Sequence, residues 1–169
     1  MRAPAADTTA SSPSAEYQIK AVFLFNFAQF AEWPVRAFAE ARAPLIIGIL
    51  GEDPFGAYLD ELVKDEKIGE RPLVVRRYRD VKEAAGCHIL FICPSEAERF
   101  GPIIAALQGK SILTIGDADT FTRSGGMVRF ATDNGKIRLR INVEAAKACG
   151  ITISSKIIRP ATIVTTGKN

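Results

Sequence analysis

Leu45-Ile46-Ile47-Gly48-Ile49-Leu50 is an unbroken apolar run, and the turn sequence Gly51-Glu52-Asp53-Pro54 follows it directly. Such a run is typical of a β-strand covered on both faces, as in a parallel sheet. Asp53 can cap a helix and Pro54 can take its first position, so a helix is predicted from there to about Lys64. This strand–turn–helix unit is characteristic of an α/β fold.

The same alternation continues along the chain. Ser95 and Glu98 form a capping-box pattern before a predicted helix to about Leu107. Strands that alternate with helices predict βαβ units and a largely parallel sheet. The further predicted strands are Leu73–Arg77, His88–Cys93 and Ser111–Gly116.

A helix is also predicted ahead of the first strand, from about Ala15 to Ala31, with Ser14 as its N-cap. Trp33-Pro34 ends it, because proline disfavours helical backbone at the preceding residue, and Trp33 is expected to be structural. Apolar side chains surround this helix. A helix that is apolar all round is buried or covered by a partner.

The pattern changes after the fourth strand. Asp133-Asn134-Gly135 predicts a hairpin, and an Asn134-Gly135 loop sets Phe130 opposite Leu139 and Val128 opposite Ile141. This register keeps the apolar residues on one face, which supports it.

A short helix, Val143–Cys149, is predicted next, capped by Asn142 and closed by Gly150. The tail Ile151–Val164 is apolar and β-branched, and its segment Ser154–Ile158 fits a helix or a strand.

Together these patterns predict an α/β fold with three layers. A mostly parallel central sheet lies between flanking helices and carries a C-terminal antiparallel hairpin. Residues 15–169 are expected to form one domain. Residues 1–14, rich in Ala, Pro, Ser and Thr, predict a flexible tail. Their composition fits both the segment that follows a cleaved signal peptide and a cytosolic tail.

The composition excludes several classes of protein. The chain has 169 residues, 47% of them hydrophobic and 24% charged, as in an ordinary globular protein. A net charge of +3 is too mild for a nucleic-acid binder. The longest apolar run near the start, Ala21–Phe25, is far shorter than the roughly 20 residues of a spanning helix, so no membrane insertion is expected.

No catalytic constellation emerges from the motifs, so no enzyme activity, cofactor or metal is expected. The turn Gly51–Gly56 lacks the G-x-G-x-x-G pattern, and its two acids would repel a phosphate. Gly109-Lys110-Ser111 precedes a strand, whereas a P-loop follows one. His88, the only histidine, has no nearby partner for a triad and is expected to be structural.

The three cysteines have no metal-site or redox spacing. Cys87 and Cys93 would lie roughly 20 Å apart along one strand, too far for a disulfide. Only Cys149 could pair with either of them. All three are expected to be buried and to pack as small apolar side chains.

The hairpin combines basic residues with two glycines. Its register places Arg129 directly opposite Arg140, and like charges in that position destabilise a sheet. Water and spread side chains, or an anion or acidic partner, must offset the repulsion. Gly125-Gly126, just before the hairpin, is expected to supply positive φ or a close backbone approach.

Seven segments in order, from about Tyr17 to Val164, resemble the YfiR family. They are KAVFLFNFAQFAEWP (20–34), IGILGEDPFG (47–56), CHILFI (87–92), ILTIGD (112–117), FTRSGGMVRF (121–130), INVEAA (141–146) and ISSKII (153–158).

The resemblance implies a non-enzymatic periplasmic protein with an α/β fold that forms homodimers. It also implies a role in restraining a membrane-bound diguanylate cyclase by binding its periplasmic domain, which lowers cyclic-di-GMP and biofilm formation. In that family paired disulfides support stability, and this chain departs from the pattern with its odd cysteine count.

Two main hypotheses follow. In the first, the protein docks on the sensory domain of a membrane signalling protein through Ile157, Ile158 and Ile163, edged by Arg138 and Arg140. In the second, it binds a nucleotide or amino acid at the carboxyl ends of the parallel strands. The residues expected at that edge are Gly51, Asp53, Gly56, Gly116 and Asp117. A hydrolase would need a carboxylate pair that spacing alone does not show.

Overall fold

A computed structural model describes residues 13–165 of the chain. Its helices are α1 (Ala15–Phe30), α2 (Ala57–Val63), α3 (Phe100–Ala106), α4 (Val143–Ala148) and α5 (Ser155–Ile158), with 3-10 segments at Val35–Ala37, Val81–Gly86 and Pro94–Arg99. Its strands are β1 (Ala31–Glu32), β2 (Leu45–Leu50), β3 (Lys67–Ile68), β4 (Arg71–Tyr78), β5 (Ile89–Ile92), β6 (Leu113–Gly116), β7 (Val128–Asp133), β8 (Lys136–Ile141), β9 (Thr152–Ile153) and β10 (Thr162–Ile163). Of the tail predicted over residues 1–14, residues 1–12 lie outside the described part.

The main sheet has the strand order β10-β8-β7-β6-β5-β2-β4-β3. Its neighbours are parallel except at the pairs β3–β4 and β7–β8. The short strands β1 and β9 form a separate antiparallel pair. The predicted fold class, a mostly parallel sheet with flanking helices and an antiparallel hairpin, is confirmed.

Alternation along the strands divides the core into two layers. In β2, Ile47 and Ile49 pack on one side in a cluster with α1 and α2, whereas Leu50 packs on the other side in a cluster with α3. Strand β5 splits in the same way, with Phe91 in the first cluster and Ile92 in the second. Both faces of the central strands are therefore covered, as the sequence of the first strand predicts.

The first helix follows the predicted bounds closely. The Ser14 hydroxyl accepts a hydrogen bond from the Tyr17 N–H, which caps the helix. The inner side chains of α1, among them Leu24 and Phe27, are fully buried against the sheet. Trp33 follows the helix and donates from Nε1 to the carbonyl of His88 at 2.9 Å, which ties this turn to the start of β5.

The hairpin has the predicted register. Phe130 pairs with Leu139, Val128 with Ile141, and Arg129 with Arg140. Its loop residues Asn134 and Gly135 both have positive φ, as the Asn-Gly turn requires. The chain continues from the hairpin into α4, where the Asn142 side chain accepts from the N–H of Ala145.

Two predicted helix starts are wrong, because one candidate cap holds a turn instead and the other bonds a distant loop. The Asp53 carboxylate accepts from the N–H groups of Phe55 and Gly56 and holds a turn, so α2 begins at Ala57 rather than at Pro54. The Ser95 hydroxyl accepts from the Glu52 N–H across the sheet edge, and a 3-10 segment precedes α3.

The two glycines before the hairpin have different surroundings. Gly125 has a φ of +109°. A Cβ on Gly126 would lie 2.2 Å from the ring of Phe121, and one on Gly116 would lie 2.7 Å from the same ring. Phe121 therefore packs directly on two glycines and closes the second core layer.

We expect Gly126→Ala to lower the free energy of unfolding by about 1–3 kcal/mol, because the added methyl overlaps a fully buried ring. Gly101→Ala is the matched control, since nothing lies within 4 Å of its Cβ position. Urea unfolding of both variants measures the difference. Equal stability of the two would contradict the close packing of Phe121.

Candidate functional site

The carboxyl ends of β2, β5 and β6 meet at one edge of the sheet, where α/β proteins bind their ligands. Gly51, after β2, has a φ of +106°, and a Cβ there would lie 2.6 Å from the Ser95 hydroxyl. The loops after β2 and β5 are thus packed against each other. Sequence reasoning placed Gly51 at this edge, and the geometry gives it a role in loop packing.

Asp53, predicted at the same edge, is held by structural contacts. Its carboxylate accepts the loop N–H groups and pairs with Arg77 Nε at 2.8 Å. Arg77 also pairs with Asp60 and donates to the carbonyl of Gly56. The hydrogen bond to Asp60 is the main cause that raises the pKa of Arg77, and the hydrogen bond to Asp53 raises it further. These contacts stabilise the start of α2 and occupy the Asp53 carboxylate.

A buried polar cluster fills the next part of the edge. Lys20 is only 1% exposed, and its Nζ lies 2.7 Å from Asp117 Oδ2, just after β6. Tyr17 Oη donates to the same oxygen at 2.6 Å, and Glu16 is a second partner of Lys20. Burial is the main cause that raises the pKa of Tyr17, and its hydrogen bond to Asp117 raises it further. The cluster joins α1 to the sheet through charged groups.

One atom of this cluster has no partner. Asp117 Oδ1 is buried and accepts no hydrogen bond among the described residues. The Asp117 side chain is 5% exposed, so its second oxygen lies in the interior beside Lys20 and Tyr17. Sequence reasoning placed Asp117 here but missed Lys20 and Tyr17. The available signal was a lysine on the inner face of an otherwise apolar helix.

The predicted docking residues have different environments. Ile157 is 7% exposed and packs in the main core, so its assignment to a docking surface is corrected. Ile158 is half-buried against that core, whereas Ile163 is 52% exposed. Arg138 is exposed and Arg140 is half-buried.

Two further apolar side chains are exposed on α1. Ile19 is 49% exposed and Val22 is 38% exposed, one helical turn apart. Ile163 pairs with Ile141, which packs in the same core cluster as α1, and it therefore projects toward the α1 side of the sheet. Sequence reasoning recognised that α1 is apolar all round but named no residue of it as a surface residue.

His88 forms part of the interior. Its Nδ1 accepts from the Ile46 N–H at 3.0 Å, so Nε2 carries the proton and donates to the carbonyl of Ala37 at 2.8 Å. The ring stacks on Phe38, and burial lowers its pKa. Both nitrogens are thus used, one to join β2 and the other to join the chain before β2 to the start of β5.

Residues 13–165 contain no group of three or more His, Cys, Asp or Glu side chains arranged to hold a metal ion. Within the same range, no helix combines the length and the apolar character needed to cross a bilayer.

The sequence profile of the YfiR/HmsC-like family matches residues 17–162. The chain belongs to this family. No curated protein gives a significant match. Eight chains of solved structures do match, and one of them is an ABC domain from Streptococcus pneumoniae in complex with L-Trp. It aligns with a TM-score of 0.50 and 15% identity over 71% of this chain, which spans 55% of that structure. This likeness concerns the fold alone.

The cysteines of this YfiR/HmsC-like chain are free thiols. Cys87 and Cys93 are buried, and burial raises the pKa of Cys87 to about 12. Cys149 is only half-buried, which corrects the prediction that all three are buried. It lines an apolar cavity of about 220 Å³ with Leu107 and Met127.

We expect Lys20→Met to lower the free energy of unfolding by about 3–5 kcal/mol, because it leaves the buried Asp117 carboxylate without its cation. Adding Asp117→Asn should restore most of this loss, since an amide oxygen still accepts from Tyr17. Chemical denaturation of the single and double variants measures the coupling. Lys82→Met, at an exposed lysine, is the control and should change stability by less than about 0.5 kcal/mol. Additive effects of the two cluster substitutions would show that the pair does not act as a unit.

Proposed function

We propose that this protein is a periplasmic regulatory binder that represses a membrane-bound signalling enzyme, a diguanylate cyclase, by docking on its periplasmic sensory domain. Membership of the YfiR/HmsC-like family carries the proposal, because the family match covers residues 17–162. Repression would limit cyclic-di-GMP signalling and biofilm formation. The family is regulatory rather than catalytic, so the protein is proposed to act through binding and not as an enzyme.

The docking surface proposed here centres on Ile163, the most exposed apolar residue of the C-terminal segment. Ile158 lies half-buried in the same segment, and Ile19 and Val22 of α1 extend the apolar character on that side of the sheet. Arg138 and Arg140 of β8, predicted to edge this surface, project from the opposite face of the sheet, since Leu139 and Ile141 beside them pack on the α1 side. A partner with an exposed apolar patch complements these features.

Repression in this scheme is a coupling between binding and conformation. The binder shifts the enzyme toward its inactive state only to the extent that it prefers the sensory domain in that state. Family resemblance also supports a homodimer as the acting species, and sedimentation equilibrium of the full chain tests this.

The docking proposal is tested with Ile163→Asp and the purified periplasmic domain of a membrane diguanylate cyclase from the same organism. We expect wild-type protein to bind and the variant to bind at least about tenfold more weakly, because a charge would be desolvated at the apolar centre of the interface. Isothermal titration calorimetry measures both affinities.

Val35→Asp is the matched control, since it also places an acid at an exposed apolar residue, 87% exposed in the segment after α1. This variant should bind like the wild type and should lower cellular cyclic-di-GMP equally well. An equal loss in the two variants, or no binding of the wild type to such domains, would contradict the docking proposal.

A second candidate function is supported by Asp117. Its buried Oδ1 has no partner among the described residues and can accept a hydrogen bond from a small ligand at the carboxyl edge. The structurally similar ABC domain was solved with L-Trp, whose ammonium group is a suitable donor. We therefore propose a small-ligand sensor, for an amino acid or a nucleotide, as the alternative.

For this alternative we expect millimolar L-Trp to raise the melting temperature of the wild type and not that of Asp117→Asn, because the neutral amide attracts an ammonium group less strongly. Differential scanning fluorimetry measures both, with a nucleotide as the second ligand and Asp119→Asn as the control at an exposed carboxylate. An unchanged melting temperature with both ligands would exclude the sensor function for these two classes.

A further inference from the structure

A row of three hydrogen-bond donors crosses the C-terminal part of the sheet. Arg129 of β7 pairs with Arg140 of β8, and Arg140 pairs on its other side with Thr162 of β10. Directly paired residues project from the same face of a sheet. Two guanidinium groups and one hydroxyl therefore lie side by side on the face opposite to α1, since their neighbour Ile141 packs on the α1 side.

The positive charge of this row is not balanced within the described residues. Arg129 Nη2 pairs with Asp119 Oδ1 at 2.9 Å, but the Asp119 side chain is 90% exposed. Arg140 forms no ion pair in the part of the chain that the structure describes. Like charges placed directly opposite each other in a sheet are destabilising, and one exposed carboxylate offsets only part of that cost.

The Nε atoms of both arginines also lack acceptors among the described residues. The Nε atoms of Arg129 and Arg140 are both buried, and neither donates to any described atom. The Arg129 side chain is only 11% exposed, so bulk water does not readily supply the missing acceptor. A buried N–H without an acceptor costs free energy, and two such groups on paired arginines indicate a shared acceptor from outside the described residues.

We propose that Arg129, Arg140 and Thr162 form a binding site for a tetrahedral oxyanion of the phosphate class. A phosphate group has enough oxygens to accept from both Nε–H groups and from the Thr162 hydroxyl at once. A carboxylate has two oxygens and suits a single guanidinium fork. The site goes beyond the proposed function, and it can be tested without any partner protein.

Two features distinguish this row from the rest of the basic hairpin. Arg138 lies on the same strand and the same face, but its paired residue is Ala131, so it has no second guanidinium beside it. Lys136 pairs with Asp133, an acid. Only the Arg129–Arg140 pair combines two adjacent guanidiniums with buried, unpaired Nε atoms among the described residues.

The test is a titration of the full chain with inorganic phosphate at constant pH and ionic strength, followed by the arginine Nε–Hε signals in nitrogen-15 NMR. We expect saturable shifts of the Arg129 and Arg140 signals with a dissociation constant of about 1 mM or below. The Arg138 signal should not move. Absence of a saturable shift at tenfold higher phosphate would overturn the proposal.

Variants distinguish a defined binding site from nonspecific attraction of the anion by positive charge. Arg140→Gln should weaken phosphate binding at least about tenfold, and Arg140→Lys should weaken it severalfold because it keeps the charge but loses the fork. Arg138→Gln, the matched control, should change affinity less than about twofold. Equal losses in Arg138→Gln and Arg140→Gln, or full affinity in Arg140→Lys, would overturn the proposal. Arg129→Gln provides the same test if the Arg140 variants fail to fold.

Comparison of ligands identifies the source of the oxyanion. A nucleoside monophosphate that binds with the same Arg129 and Arg140 shifts but more tightly supports a phosphate monoester as the ligand, and equal affinity supports free phosphate. Acetate that matches phosphate in shifts and affinity would overturn the tetrahedral assignment in favour of a carboxylate.

Discussion

Strands β2, β5 and β6 are buried on both faces, and this constraint determines where the other elements lie. A strand of this kind has no face for water, so each side needs its own apolar cover. On one side the cover comes from α1 and α2, which pack on residues such as Ile47 and Phe91. On the other it comes from α3 and from Phe121, which packs against Gly116 and Gly126 so closely that neither position has room for a Cβ.

Covering the sheet with α1 brings the helix to the carboxyl edge, where Asp117 follows β6. Lys20 meets that acid in the interior, and Tyr17 donates to the same oxygen. Removing two charges from water offsets much of their attraction, so such a pair adds little net stability but strongly penalises any arrangement that separates it. The cluster therefore fixes the position of α1 along the sheet more than it strengthens the fold.

The sequence predicts best what depends on neighbours in the chain. The hairpin register follows from the Asn134-Gly135 turn and the alternation around it, and with it the opposition of Arg129 and Arg140. Contacts between distant segments are not encoded in spacing. Ser95 looks like a helix cap, yet its hydroxyl is taken by an N–H 43 residues away. Lys20 and Asp117 lie 97 residues apart, so no local pattern joins them. Ile157 and Ile163 are both β-branched and apolar, and only the packing shows that one is core and the other surface.

The proposed docking surface and the proposed anion site each use one of two consecutive residues. Thr162 and Ile163 form β10, and adjacent residues of a strand project to opposite faces. Thr162 lies beside Arg140 in the donor row, whereas Ile163 projects toward the α1 side. A two-residue edge strand is held by few backbone hydrogen bonds, so an anion that engages Thr162 would restrict the same segment that presents Ile163 to a partner. When one ligand orders this segment, the other ligand loses less conformational entropy on binding. Each ligand must then raise the affinity of the other by the same factor. In this scheme the anion and the partner protein would bind cooperatively through β10, without any rearrangement of the sheet.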